Sequence, residues 1–141
     1  MQSKLAQLKA MTDVVADTGD IEAIRRFTPR DATTNPSLIL KAAQLPQYRE
    51  LIDRVVADEL RSERDAIALK RACTRLAVAI GREITQLVPG KVSTEVDARL
   101  SFDRRATVEQ AKQIVALYEQ AGVSRDKLLI KIASTWEGIQ A

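Results

Sequence analysis

The run Leu128-Leu129-Ile130-Lys131-Ile132-Ala133 sets one lysine among five apolar residues, the composition of a buried β-strand. An ammonium group in such surroundings is costly, and the usual relief is a lowered pKa that leaves the amine neutral. A neutral amine attacks carbonyl carbon, so Lys131 is a candidate Schiff-base lysine. Taken alone, the run fits better a strand end from which the ammonium reaches into water, since most lysines are solvated. The rest of the chain bears on which reading holds.

Before the run, residues 107–121 carry Ile114, Val115 and Tyr118 on one helical face. Thr107 and Gln110 stand at capping-box spacing, and Gly122 follows as a C-terminal cap. Residues 91–96 read as a strand. Ahead of it lies a long helix with Leu69, Cys73, Leu76, Ile80, Ile84 and Leu87 in steps of three and four. Ser62 is its expected cap, and Pro89-Gly90 ends it. An earlier helix starts near Pro46 and carries Tyr48, Leu51, Ile52, Val55 and Val56. Residues 31–35 form a short strand stopped by Pro36, because the residue before proline is held out of the helical region. Residues 12–17 form another, ended by Thr18-Gly19-Asp20, with Asp20 capping a helix through Phe27. Residues 3–10 suggest a leading helix. Beyond the lysine run, Ser134-Thr135-Trp136-Glu137 has capping-box spacing and opens one more helix.

Strands alternating with helices predict parallel pairing through right-handed crossovers. The expected fold is α/β, with about four parallel strands. A complete (β/α)8 barrel takes roughly 250 residues. Residues 1–141 are therefore expected to form a single unit that is the first half of such a barrel, left incomplete. Its first and fourth strands then have open edges, which leaves three readings open: an N-terminal piece of a longer enzyme with little activity alone, a half-barrel that forms a homo-oligomer through those edges, or a non-enzymatic module that binds a partner chain through the exposed sheet.

Composition narrows the function classes. Apolar residues make up 45% and charged residues 29%, as in ordinary globular proteins. The net charge is only +3, bases are interspersed with acids, and aromatics are 4%, so neither a basic stripe nor a stacking platform for nucleic acid is present. One cysteine and no histidine leave no metal cluster to build. Cys73 lies in a helical apolar pattern and reads as a small core residue. Neither a signal peptide nor a membrane-length apolar run is evident, which favours the cytoplasm and no membrane partner.

Side chains alternate along a strand, so phase assigns faces. Val15 pairs with Asp17, Thr33 with Asn35, Ser93 with Glu95, and Leu129 with Lys131 and Ala133. Each strand thus carries one strongly polar residue near its C-terminal end: Asp17, Asn35, Glu95 and Lys131. In a barrel that rim is where catalytic groups from different strands converge. An amine to attack a ketone, carboxylates to move protons and an amide to orient a hydroxyl form a coherent set. Singly, each has a plainer explanation: Asp17 begins a turn, Asn35-Pro36 is a common turn pair, and Glu95 with Asp97 and Arg99 suits a solvated loop.

Four segments resemble the transaldolase family, in its bacterial and eukaryotic branch: residues 14–20 (VVADTGD), 31–39 (DATTNPSLI), 92–100 (VSTEVDARL) and 129–136 (LIKIASTW). The resemblance implies a class I aldolase barrel of the pentose phosphate pathway, of which this chain is the N-terminal half. It implies transfer of a dihydroxyacetone unit from sedoheptulose 7-phosphate to glyceraldehyde 3-phosphate, giving erythrose 4-phosphate and fructose 6-phosphate. Sugar phosphates are then the small-molecule partners, and no metal or organic cofactor is required. Lys131 matches the family's Schiff-base lysine. Asp17 matches the acid/base that takes the substrate hydroxyl proton, and Glu95 the carboxylate that works through a water. Asn35 matches a residue that hydrogen-bonds substrate hydroxyls, and Thr33, on its face, is a further candidate substrate contact. The family's second half supplies the arginines that hold the phosphate. Arg25, Arg26, Arg104 and Arg105 lie in helix or loop contexts here and do not replace them.

Overall fold

A computed structural model describes residues 2–61 and 64–141. Eleven segments of regular structure alternate as expected. They are α1 (Lys4–Met11), β1 (Val15–Asp17), α2 (Ile21–Phe27), β2 (Asp31–Thr33), α3 (Pro36–Ala42), α4 (Arg49–Glu59), α5 (Ala66–Thr85), β3 (Val92–Glu95), α6 (Arg104–Gln120), β4 (Leu128–Lys131) and α7 (Trp136–Gln140). Short 3₁₀ turns precede α4, α6 and β4. The strands form one sheet in the order β1-β2-β3-β4, every neighbouring pair parallel. This is an α/β half of a barrel. No helix among the described residues is long and apolar enough to cross a membrane.

The two faces of the sheet differ. Ala32, Val92, Thr94 and Leu128 are buried under the helices. One core cluster joins Ile24, Ile39, Tyr48, Ile80, Ile84 and Val92, and another joins Val78, Val96, Ile114, Tyr118 and Leu128. The opposite face carries Val15 and Leu129, 50% and 48% exposed. Lys131 lies on this open face. The lysine run is therefore not uniformly buried: its apolar character is concentrated on the helix-covered side, where Leu128 sits, while the ammonium keeps access to water.

Several local readings are corrected. Asn35 does not end a strand but caps α3, a helix that the Asn-Pro turn signal concealed. Its Oδ1 accepts from Leu38 N at 2.9 Å, and Pro36 takes the first helical position, where a missing N–H costs nothing. The expected cap Ser62 lies outside the described residues, and α5 is capped by Asp65, which accepts from Ala68 N. Helix α6 starts at Arg104, capped by Asp103, rather than at Thr107, and α7 is capped by Thr135 rather than Ser134. Cys73 is exposed, not a core residue, and Leu69 is 57% exposed. In that half of α5 the buried positions are Ala68 and Ala72. Close packing against α4 selects the alanines, whereas a stripe read by side-chain size selects their larger neighbours.

Gly122 performs the capping role expected of it. Its φ is 79°, Gly122 N donates to Glu119 O, and Val123 N donates to Tyr118 O, the paired bonds of a Schellman turn. A Cβ there would meet nothing within 4 Å. Gly122→Ala is thus expected to cost about 1 kcal/mol through the backbone alone. A urea midpoint unchanged from the parent would refute that account.

Candidate active site

The site lies at the C-terminal rim of the sheet, on its open face. Register decides which candidates meet. Glu95 and Lys131 are paired across β3 and β4, and Lys131 Nζ lies 3.2 Å from Glu95 Oε2. Both are the last residues of their strands, so their side chains project together past the ladder. Their side chains are 38% and 23% exposed, a setting open to a small molecule and moderately screened by water.

Asp17 ends β1 and pairs with Thr33 of β2, which in turn pairs with Ser93 of β3, itself opposite Leu129. Asp17 therefore shares the face of Lys131 but lies one layer lower and at the other edge of the sheet. Three strand spacings separate their backbones, about 14 Å along the sheet. Lys131 thus meets Glu95 directly, and Asp17 faces the same side from the far edge strand. Thr33 sits beside Asp17, half-buried. Asn35 is held by its capping bond, which commits its carbonyl oxygen to the helix. What it can offer a ligand is its amide N–H donors.

Three further side chains hold the rim in place. Gln110, 8% exposed, accepts a hydrogen bond at 2.9 Å from Asp97 N, two residues beyond Glu95. Buried Thr107 donates to Leu100 O at 2.8 Å in the same loop. Thr135 Oγ1 donates to Ser101 O, tying the segment after Lys131 to the segment after Glu95. Thr107 and Gln110 had the spacing of a cap and took another task, because Asp103 already satisfies the helix start. Their buried polar character on a helix face was the available signal.

In this loop the Arg99 guanidinium hydrogen-bonds both Asp97 carboxylate oxygens and holds that carboxyl below its ordinary value; partial burial opposes the effect. A carboxyl lowered in the folded state stabilises above its unfolded pKa of about 3.9 and loses that contribution as pH falls below it. Asp97→Asn is expected to lower the urea midpoint at pH 7, with a smaller gap at about pH 2.5. A gap of equal size at both pH values would rule out this ion pair as its source.

A groove of about 460 Å³ opens beside the rim on the helix side, between α3 and α5. Ile39, Leu40, Leu76 and Ala77 line it, and Asn35 and Glu95 stand at its edge.

Residues 14–141 match the family described as Transaldolase/Fructose-6-phosphate aldolase. The chain is 60% identical over 142 residues to a protein named transaldolase from Alteromonas mediterranea, an alignment covering 100% of this chain and 44% of that one. It is 58% identical over 141 residues to a transaldolase of Cellvibrio japonicus, again covering 100% and 44%. A transaldolase of Actinobacillus pleuropneumoniae serotype 5b is 61% identical over 140 residues, covering 99% and 44%. The chain spans less than half the length of these curated relatives.

Proposed function

The chain belongs to the Transaldolase/Fructose-6-phosphate aldolase family, and from that premise we propose that it carries the imine-forming part of a class I aldol transfer on cytoplasmic sugar phosphates. The observation that carries this reading is the 3.2 Å pair of Lys131 and Glu95 at the C-terminal ends of neighbouring parallel strands. Lys131 must lose a proton before it attacks, and Glu95 is within reach to take it, directly or through a water. The amine adds to the C2 carbonyl of a ketose phosphate, the carbinolamine loses water with a proton returned from Glu95, and an iminium forms. The iminium accepts the electron pair released when the C3–C4 bond breaks, while a base removes the C4 hydroxyl proton. The three-carbon fragment stays bonded to Lys131 until an aldehyde takes it. We take sedoheptulose 7-phosphate as donor and glyceraldehyde 3-phosphate as acceptor, the pair that the resemblance of the strand-end motifs implies.

Asp17 is our candidate for the C4 hydroxyl base, with Asn35 and Thr33 as hydroxyl contacts. Asn35 donates in this scheme, since its oxygen is committed to Leu38 N. The separation of Asp17 from Lys131 divides the reaction. Imine formation needs only the local Lys131–Glu95 pair, whereas bond cleavage needs a closed surface that brings Asp17 across the substrate. On this reading the Lys131–Glu95 pair suffices to capture a ketose, and turnover depends on Asp17 reaching the same substrate.

The test is borohydride reduction of the purified chain with fructose 6-phosphate, read by intact mass and peptide mapping. A single sugar-derived mass increment on the peptide holding Lys131 is expected. Absence of any adduct, beside a full-length relative that traps, would overturn the proposal.

A further inference from the structure

We propose that Gln110 is a positioning residue for the imine-forming pair: its amide oxygen holds the backbone just beyond Glu95 and so keeps the Glu95 carboxylate within reach of Lys131. For its chemistry the proposal rests on the reading given above; its geometry concerns the Lys131–Glu95 pair whether or not an imine forms.

The strand ladder does not fix Glu95 by itself. Glu95 is the last residue of β3, and one further bond, from Val96 N to Lys131 O at 2.9 Å, continues the pairing with β4. The next amide has left the sheet. Asp97 N donates instead to Gln110 Oε1 at 2.9 Å. The backbone of residues 95–97 is therefore held from β4 at one end and from α6 at the other.

The identity of residue 110 supports this role. Gln110 is 8% exposed, on the buried face that α6 forms with Thr107, Ile114 and Tyr118. A buried amide is costly unless bonded, and an apolar side chain of similar length fills the same space without that cost. Packing alone does not account for a glutamine here, whereas the bond to Asp97 N does. Neighbouring groups on the same face act on the same segment. Tyr118 Oη lies 2.6 Å from Oγ1 of Thr94, the residue before Glu95, and Thr107 Oγ1 donates to Leu100 O at 2.8 Å. Helix α6 thus grips the chain before and after Glu95 from the covered side of the sheet, and the carboxylate is presented on the other.

The pair has little slack. Lys131 Nζ and Glu95 Oε2 stand 3.2 Å apart, at the upper end of the reach for direct proton transfer, about 2.6–3.2 Å. Without Gln110 the residues after Glu95 gain backbone freedom, and a displacement of about 1 Å at reacting groups costs on the order of a hundredfold in rate.

Gln110→Met tests the proposal, since it keeps the length of the side chain and removes the acceptor. The first readout needs no substrate: the NMR signal of the Glu95 carboxyl carbon. Lys131→Ala is expected to move that signal in the parent chain and to leave it nearly unmoved in Gln110→Met, where the pair is already apart. The second is the borohydride-trapped rate with fructose 6-phosphate. At saturating ketose it is expected to fall by about tenfold to a hundredfold in Gln110→Met, with the half-saturating concentration unchanged. In a Glu95→Gln background the same substitution is expected to add less than about twofold, because Gln110 acts through Glu95. A carboxyl signal that answers Lys131→Ala equally with and without Gln110, or a rate loss of the same size in the Glu95→Gln background, would overturn the proposal. If the parent chain traps no ketose, the imine reading fails and the carboxyl signal alone decides the role of Gln110. Should Gln110→Met not fold, Gln110→Asn, which keeps an amide but withdraws it by one methylene, takes its place in both measurements.

Discussion

Lys131→Ala is expected to abolish covalent capture of fructose 6-phosphate, taking the borohydride-trapped adduct from a single site to none. It is the largest functional effect we anticipate, because removing a nucleophile eliminates the covalent path, with losses on the order of a million-fold where such groups have been removed from covalent enzymes. Any transfer activity should fall below detection. The fold should barely notice. The Lys131 side chain is 38% exposed, and its partner Glu95 retains enough solvent contact to stand without it. The expected change in the urea midpoint corresponds to no more than about 0.5 kcal/mol. Glu95→Gln is a milder companion: the amine remains, a proton acceptor is lost, and trapping should slow by about 10²–10⁴-fold rather than vanish. An adduct of undiminished yield in Lys131→Ala, mapped to another lysine, would remove Lys131 from the mechanism.

Gly81→Ala is expected to be strongly destabilising. Gly81 lies on α5, facing the Tyr118 hydroxyl of α6, and a Cβ there would fall 1.8 Å from Tyr118 Oη and 2.9 Å from its Cζ. Tyr118 has no room to retreat, being fully buried and hydrogen-bonded at 2.6 Å to Thr94, itself 2% exposed on β3. Displacing the ring overpacks the core and strands two buried hydroxyls, together about 3–5 kcal/mol. That is a large part of the 5–15 kcal/mol typical of a whole domain. Because the tightest contact is with the hydroxyl, adding Tyr118→Phe to Gly81→Ala should recover part of the loss, a coupling that a double-mutant cycle in urea reads directly. A Gly81→Ala midpoint equal to that of the parent would show that this seat is less tightly filled than the geometry requires. Burial also pushes the Tyr118 phenol up to about 12, against the opposing effect of its Thr94 bond. The fold therefore holds the neutral phenol, and the linked stability is complete below about pH 10 and declines as pH rises towards 12.

The rim also shows how far local rules reach. Alternation of strands and helices, the placement of Asp17, Glu95 and Lys131 on one face, and the cap at Gly122 follow from periods and turn chemistry that act within a few residues, and all were legible in the chain. So was the family, because its motifs sit on those same strand ends. Helix α3 was missed because Asn35-Pro36 signals a turn and a helix start with the same two residues, and only the bond to Leu38 N distinguishes them. Cys73 was misplaced because helical spacing does not say which of two adjacent stripes packs; the approach of α4 buried Ala68 and Ala72 instead. That Glu95, and not Asp17, stands against Lys131 depends on strand order and register, which long-range pairing sets and no local pattern encodes. Side-chain phase was thus determined by the chain's own sequence, while the partners of each side chain were decided by tertiary structure, since packing acts between residues that are distant along the chain.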